Sequence, residues 1–137
     1  MTHSTRTLLL RTDAVLLALF GLFGFAMDLL GYFAGIGAWK GIFFNDPLAI
    51  GVVEAHGLAI VIAILLLRQA PTNDQVVWHL TAMTVHLLLG ICNLVFWQVF
   101  INSSAVSLGI AATTYHFLYL IANSAAAFLT RRKLVHA

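Results

Sequence analysis

Four long apolar runs, near residues 14–36, 48–67, 77–101 and 108–129, constrain this chain more than any other feature. A helix needs about 20 apolar residues to cross the ~30 Å of hydrocarbon in a bilayer, and each run reaches that length. Inside lipid every backbone N–H and C=O must be paired within the segment, and runs of this length can do so only as helices. The gaps between them are short and carry turn residues: "WKGIFFNDP", "RQAPTND" and "NSSAVS". Connections this short join neighbours running in opposite directions. The chain is therefore predicted to be all-α, a four-helix transmembrane bundle of up-down-up-down order, with residues 1–137 forming one transmembrane domain. The two halves share no repeat, which speaks against an inverted-repeat transporter.

Composition agrees with a lipid-exposed surface. Hydrophobic residues make up 61% of the chain and charged ones 9%, against about 45–50% and about 25% in soluble domains. Four crossings would put both termini and the middle loop on one side, where Arg6, Arg11, Arg68, Arg131, Arg132 and Lys133 gather, with Lys40 alone opposite. Basic residues concentrate on the cytoplasmic side of membrane proteins, so both termini are expected there, most simply in a bacterial inner membrane. Trp39, Trp78 and Trp97 fall at span ends, where aromatic rings favour the interface. The basic residues form no single patch, so a nucleic-acid partner is not expected. Cys92 stands alone and can make no disulfide within the chain. Arg6 and Arg11 ahead of the first run imitate a signal peptide, but the apolar run exceeds the length of a signal core, and it is expected to be retained. Asn45 or Asp46 ahead of Pro47 reads as the cap of the second helix, and Asn73 or Asp74 and Ser107 give the same signal for the last two.

Ionisable side chains are costly in hydrocarbon, so each marks a candidate site. They occur in all four spans: Asp28, then Glu54 and His56, then His86 with Asn93, then His116. Counted from the outer end of each span, Asp28, Glu54, Asn93 and His116 all lie about six to eight residues deep, ~9 to 12 Å below the outer surface. Gly21, Gly24, Gly31 and Gly35 share a helical stripe with Asp28, which turns that carboxylate toward a neighbouring helix. The pair Gly31 and Gly35 also has the small-xxx-small spacing that lets helices touch, within one chain or between copies in a homo-oligomer. His79, His86 and Asn93 share one face of the third span; His116, Tyr119 and Asn123 share one face of the fourth.

Residues two apart on a helix point in nearly opposite directions, so Glu54 and His56 cannot both face inward. A carboxylate facing lipid costs more than a neutral imidazole, and on that ground Glu54 is expected inward. Asp28, Glu54, Asn93, His116, Tyr115 and Tyr119 then line a buried polar pocket suited to a lipophilic small molecule, quinone-, isoprenoid- or sterol-like. Carboxyls shielded from water can trade a proton with a neighbouring histidine, which suits a redox accessory or a receptor; binding and turnover remain equally open, and no catalytic residue is assigned. One alternative is a haem held axially by His56 and His116, which would make the protein a membrane electron carrier. A metal site is not expected, because the Glu-x-x-His spacing of bundle-core di-iron sites is absent and "EAH" stands in its place. The polar residues could also only bind helices together in a structural membrane subunit.

The size, the four spans and the segment "NDPLAIGVVEAHGLA", Asn45 to Ala59, resemble the DoxX-like group of small four-helix membrane proteins. The shared pattern is a proline just after the outer loop, a glutamate seven residues on, then a Gly-Leu pair. The resemblance implies a bacterial inner-membrane protein, in some cases an accessory of quinone or sulfur redox systems, with Glu54 in a central place.

Overall fold

The computed structural model of the chain describes residues 1–37, 39, 41–72 and 75–135, excepting the side chains of 131–135. Lys40, Asn73 and Asp74 lie outside the described residues, as do the side chains of Arg131, Arg132 and Lys133. Among the described residues helix is the only regular secondary structure, in five elements: α1 (His3–Ala34), α2 (Ala49–Gln69), α3 (Gln75–Val95), α4 (Trp97–Asn102) and α5 (Val106–Val135). Three of them, α1, α2 and α3, are long and apolar enough to cross a membrane. α5 is 30 residues long, ample in length, but it interrupts its apolar surface with Thr113, Thr114, Tyr115, His116 and Asn123.

Two boundaries differ from the sequence reading. α1 begins at His3, well ahead of residue 14, because Thr2 caps it by accepting a hydrogen bond from the Thr5 N–H (3.2 Å) and nothing between His3 and Asp13 disfavours a helix. At the other end the apolar run 77–101 is not one helix. It breaks at Phe96, whose backbone leaves the helical region (φ −98°, ψ 27°), and the short α4 resumes beyond it. Ser107 does not cap α5 but lies in its first turn. Asp46 does act near the start of α2, accepting from the Leu48 N–H (2.9 Å) in the turn that leads into the helix.

α1 packs along α2, and α3 along α5, whereas the two pairs approach each other at few backbone positions. The α1 seam is a run of seven at alternating spacings of three and four: Leu10, Ala14, Leu17, Gly21, Gly24, Asp28 and Gly31 are all buried. Facing it on α2 are Ala59, Ala63, Leu66 and Ala70. Small residues let the two backbones come together, which matters in lipid, where van der Waals contact replaces the hydrophobic effect as the force between helices. Gly31 and Gly35 are taken up within the chain. The Gly31 site faces Trp39 of the following loop, and Gly35 (φ +63°) ends α1 in the left-handed conformation, with its N–H bonded to Gly31 O and the Phe44 ring against it.

The outer surface is apolar. Leu48 (77% exposed), Phe33 (72%) and Val95 (68%) head a long series of exposed large side chains, while Asp13, Asp28, Gln75, His79, His86 and Asn123 are fully buried. Apolar outside with ionisable groups inside reverses the pattern of a soluble bundle.

Candidate functional site

The buried polar residues form two groups. The larger one is centred on Asp13 of α1, fully buried and held by three donors. His86 Nε2 of α3 lies 2.7 Å from Asp13 Oδ1, Asn123 Nδ2 of α5 donates to Oδ2 at 2.8 Å, and the Tyr115 hydroxyl of α5 reaches Oδ1 and the main-chain oxygen at 3.4 Å. Each partner is held in turn. His86 Nδ1 lies 2.9 Å from His116 Nδ1, so both nitrogens of the buried ring are engaged. The His86 ring also stacks on Tyr119 (5.6 Å, 27°) and meets Tyr115 edge-on (5.2 Å, 83°). The Asn123 amide donates a second bond to Tyr119 O (2.9 Å), and its oxygen accepts from His79 Nδ1 (2.8 Å).

Apart from the bonds inside the α3–α5 pair, these contacts cross the seam between the two helix pairs. The same seam carries Arg6 Nη1 donating to Thr130 Oγ1 (2.7 Å) and Gln75 Nε2 donating to Thr7 Oγ1 (2.7 Å). Where the backbones stand apart, hydrogen-bonded side chains bridge the gap. A buried carboxylate is tolerable there because its charge is met by several donors at once.

The second group lies toward the other end of α1. Asp28 Oδ2 is 2.6 Å from His56 Nδ1 of α2. The ring of His56 abuts Gly24, where a Cβ would fall 2.5 to 2.7 Å from its carbons, so the absence of a side chain at residue 24 is what admits the imidazole. Asp28 is fully buried, yet its second oxygen, Oδ1, has no hydrogen-bond partner among the described residues; the same holds for Asn93 Nδ2 and Thr113 Oγ1. The His56 side chain is 35% exposed.

The structure therefore separates residues that were expected together. Asp28 faces inward, as its glycine stripe indicates. Glu54 does not: it is exposed on α2 among Ile50, Leu58 and Val61, and His56 takes the inward place. The reason lies in spacing. Ala49, His56, Ala63 and Ala70 recur every seventh residue, and the three alanines are buried, so His56 stands on the stripe of small residues that meets α1. Glu54 stands among large side chains that cannot pack so closely. His116, Tyr115 and Tyr119 join Asp13 and His86 rather than Asp28. Asn93 remains in neither set of bonds.

Asp13 and Gln75 were not read from the sequence as site residues. Asp13 stands just before the first hydropathic run and so looks like a terminus, although it follows Leu10 by three and precedes Leu17 by four on the buried seam. Gln75 precedes His79 by four in the same way.

Two surface grooves lie away from both groups. One of about 370 Å³ runs beside Val77, Leu80, Thr81, Thr84 and Val85 of α3, and one of about 150 Å³ is lined by Leu80, Met83, Ser124, Ala127 and Phe128. Among the described residues no group of three or more His, Cys, Asp or Glu side chains is arranged to hold a metal ion. Compared with protein-family models, with curated proteins and with solved structures, the chain matches none.

Proposed function

We propose that this chain is an integral membrane protein of four antiparallel spans with both ends cytoplasmic, in a bacterial inner membrane, and that its outer half binds the polar end of a lipophilic small molecule of the quinone, isoprenoid or sterol kind. The observation that carries the reading is the buried Asp28 carboxylate. One oxygen is held by His56 and the other is left without a partner. A buried acceptor in that state costs several kcal/mol unless something bonds to it, on the order of 1 to 3 kcal/mol even for a neutral group. Among the described residues Asn93 of α3 and Thr113 of α5 also carry an amide and a hydroxyl without partners. A hydroxyl head group, as on a quinol or a sterol, donates to Asp28 Oδ1, while its apolar tail lies along the exposed side chains of α1 and α2. The partial exposure of His56 offers the way in from the lipid. A carboxyl–imidazole pair at the head group can also give or take a proton, which suits the accessory role in redox chemistry that the DoxX-like resemblance suggests.

The test is binding of a short-chain quinol to the purified protein, followed by quenching of tryptophan fluorescence. Saturable binding that depends on pH and is lost in Asp28→Asn supports the reading; equal binding by wild type and Asp28→Asn refutes it. The inward position of His56 favours the haem alternative in one respect only. Its Nδ1 is held by Asp28, as second-shell carboxylates hold ligand histidines. The ring nevertheless abuts the Gly24 backbone. A visible absorption spectrum separates the two: a Soret band lost in His116→Ala assigns the site to haem.

A further inference from the structure

The geometry points to a proton relay through the seam of the bundle, running from His116 through His86 to Asp13. The three groups are joined without interruption at 2.9 and 2.7 Å, His86 and Asp13 are fully buried, and both ring nitrogens of His86 lie in the chain. The inference does not depend on any molecule bound at Asp28.

Each imidazole has one donor and one acceptor nitrogen when neutral, so a row of them passes a proton by exchanging tautomers. In the starting state His116 Nδ1–H donates to His86 Nδ1, and His86 Nε2–H donates to the Asp13 carboxylate. A proton arriving at His116 Nε2 forms a new N–H bond there. The His116 Nδ1–H bond breaks as one forms on His86 Nδ1, and the His86 Nε2–H bond breaks as one forms on Asp13 Oδ1. One proton has entered, one carboxyl has become neutral, and both hydrogen bonds survive with their directions reversed. Departure of the proton from Asp13 leaves each ring as its other tautomer, and the start returns when each ring gives up that proton to water and takes one up on its other nitrogen.

The ends of the chain are placed to use it. Asp13 lies two residues beyond the exposed Arg11, at the end of the bundle where basic residues collect. His116, at the other end, is only half-buried. Along α1 the 15 residues from Asp13 to Asp28 cover roughly 22 Å, most of a hydrocarbon core. The titratable groups against the relay are Tyr115 and Tyr119 on α5, packed on the His86 ring, and His79 on α3, bonded to the Asn123 side chain that holds Asp13. None of the bonds within the relay is shared with them except Tyr115 on Asp13, and the Asn123 amide holds the other carboxylate oxygen, so Asp13 keeps its aim toward His86 in both protonation states. Tyr119 stacked on His86 keeps that ring in line.

The experiment uses the full chain in liposomes that enclose a pH-sensitive dye, with a potassium gradient and valinomycin to draw protons inward. Wild type is expected to acidify the lumen well above protein-free vesicles. Asp13→Asn and His86→Gln keep hydrogen-bonding shape but cannot pass a proton, and should lower the rate on the order of a hundredfold, the lower end for loss of a positioned proton-transfer group. Asp13→Glu should restore part of it. Uptake by wild type no faster than by empty vesicles overturns the inference, and so does undiminished uptake by both substituted proteins. Should either variant fail to fold, infrared difference spectra of wild type after a pH jump decide. Coupled changes of a carboxylic C=O band and of imidazole tautomer bands support the relay, and a carboxyl that stays unprotonated while the imidazoles titrate refutes it.

Discussion

Replacing Gly24 by alanine tests the inward placement of His56 more directly than any change to the histidine itself. A Cβ on residue 24 would lie 2.5 Å from His56 Cδ2 and 2.7 Å from Cε1 and closer still to Nε2, separations that real structures do not tolerate. The ring cannot simply slide, because Nδ1 is bonded to Asp28 at 2.6 Å. If helix and ring shift slightly and the bond survives, overpacking costs about 1 to 3 kcal/mol. If the imidazole is expelled, Asp28 stays buried without its partner, and the loss approaches the roughly 3 to 5 kcal/mol of a broken buried pair. Gly51, in the first turn of α2 and with nothing within 4 Å of a built Cβ, is the control. Gly51→Ala should change stability by no more than about 1 kcal/mol, and in the stabilising direction, since alanine is the better helix former. Reversible denaturation in mixed micelles, with tryptophan fluorescence as the signal, measures both. In a double-mutant cycle Gly24→Ala should become nearly harmless on a His56→Ala background, giving a coupling of about 1 kcal/mol or more. Equal stability of the two glycine variants, or no coupling to His56, would refute the inward placement and with it the Asp28 pair.

Other substitutions probe the seam. Asp13→Ala strips three donors of their acceptor and should cost about 3 kcal/mol or more in the same denaturation experiment, with the two helix pairs separating before either pair unfolds. Asn123→Ala breaks the bonds to His79 and Asp13 together and should cost about 1 to 3 kcal/mol, measured likewise. Glu54→Gln should leave stability and quinol binding unchanged, because that side chain is exposed and takes part in neither polar group; loss of binding would return Glu54 to the site. Gly109→Ala should destabilise the junction of α4 and α5, where a Cβ would meet the Phe100 ring at 2.7 to 3.0 Å, and faster proteolysis between residues 96 and 109 would report it.

Much of the candidate site was legible because helical periodicity is a local property. The glycines around Asp28 turn it inward, and the sevenfold spacings of His79 with His86 and of His116 with Asn123 place each set on one face. The misreading at Glu54 came from weighing the charge of two side chains and not the size of their neighbours. The buried alanines at 49, 63 and 70 mark the face of His56 as plainly as the glycines mark Asp28. Asp13 escaped because hydropathy ends a span at its first charged residue, whereas a helix continues until its backbone bonds stop, and α1 runs on to His3.

The order of apolar runs and the brevity of the loops by themselves dictated a helical chain with an apolar exterior, since those features depend only on hydropathy and chain reach. Only the tertiary structure decided that α1 pairs with α2 and α3 with α5, and that the polar side chains split into an Asp28–His56 pair and a longer chain through Asp13, His86 and His116. Which buried donor meets which acceptor depends on the separation and rotation of helices relative to one another, to within an ångström. No periodicity within a single helix contains that information.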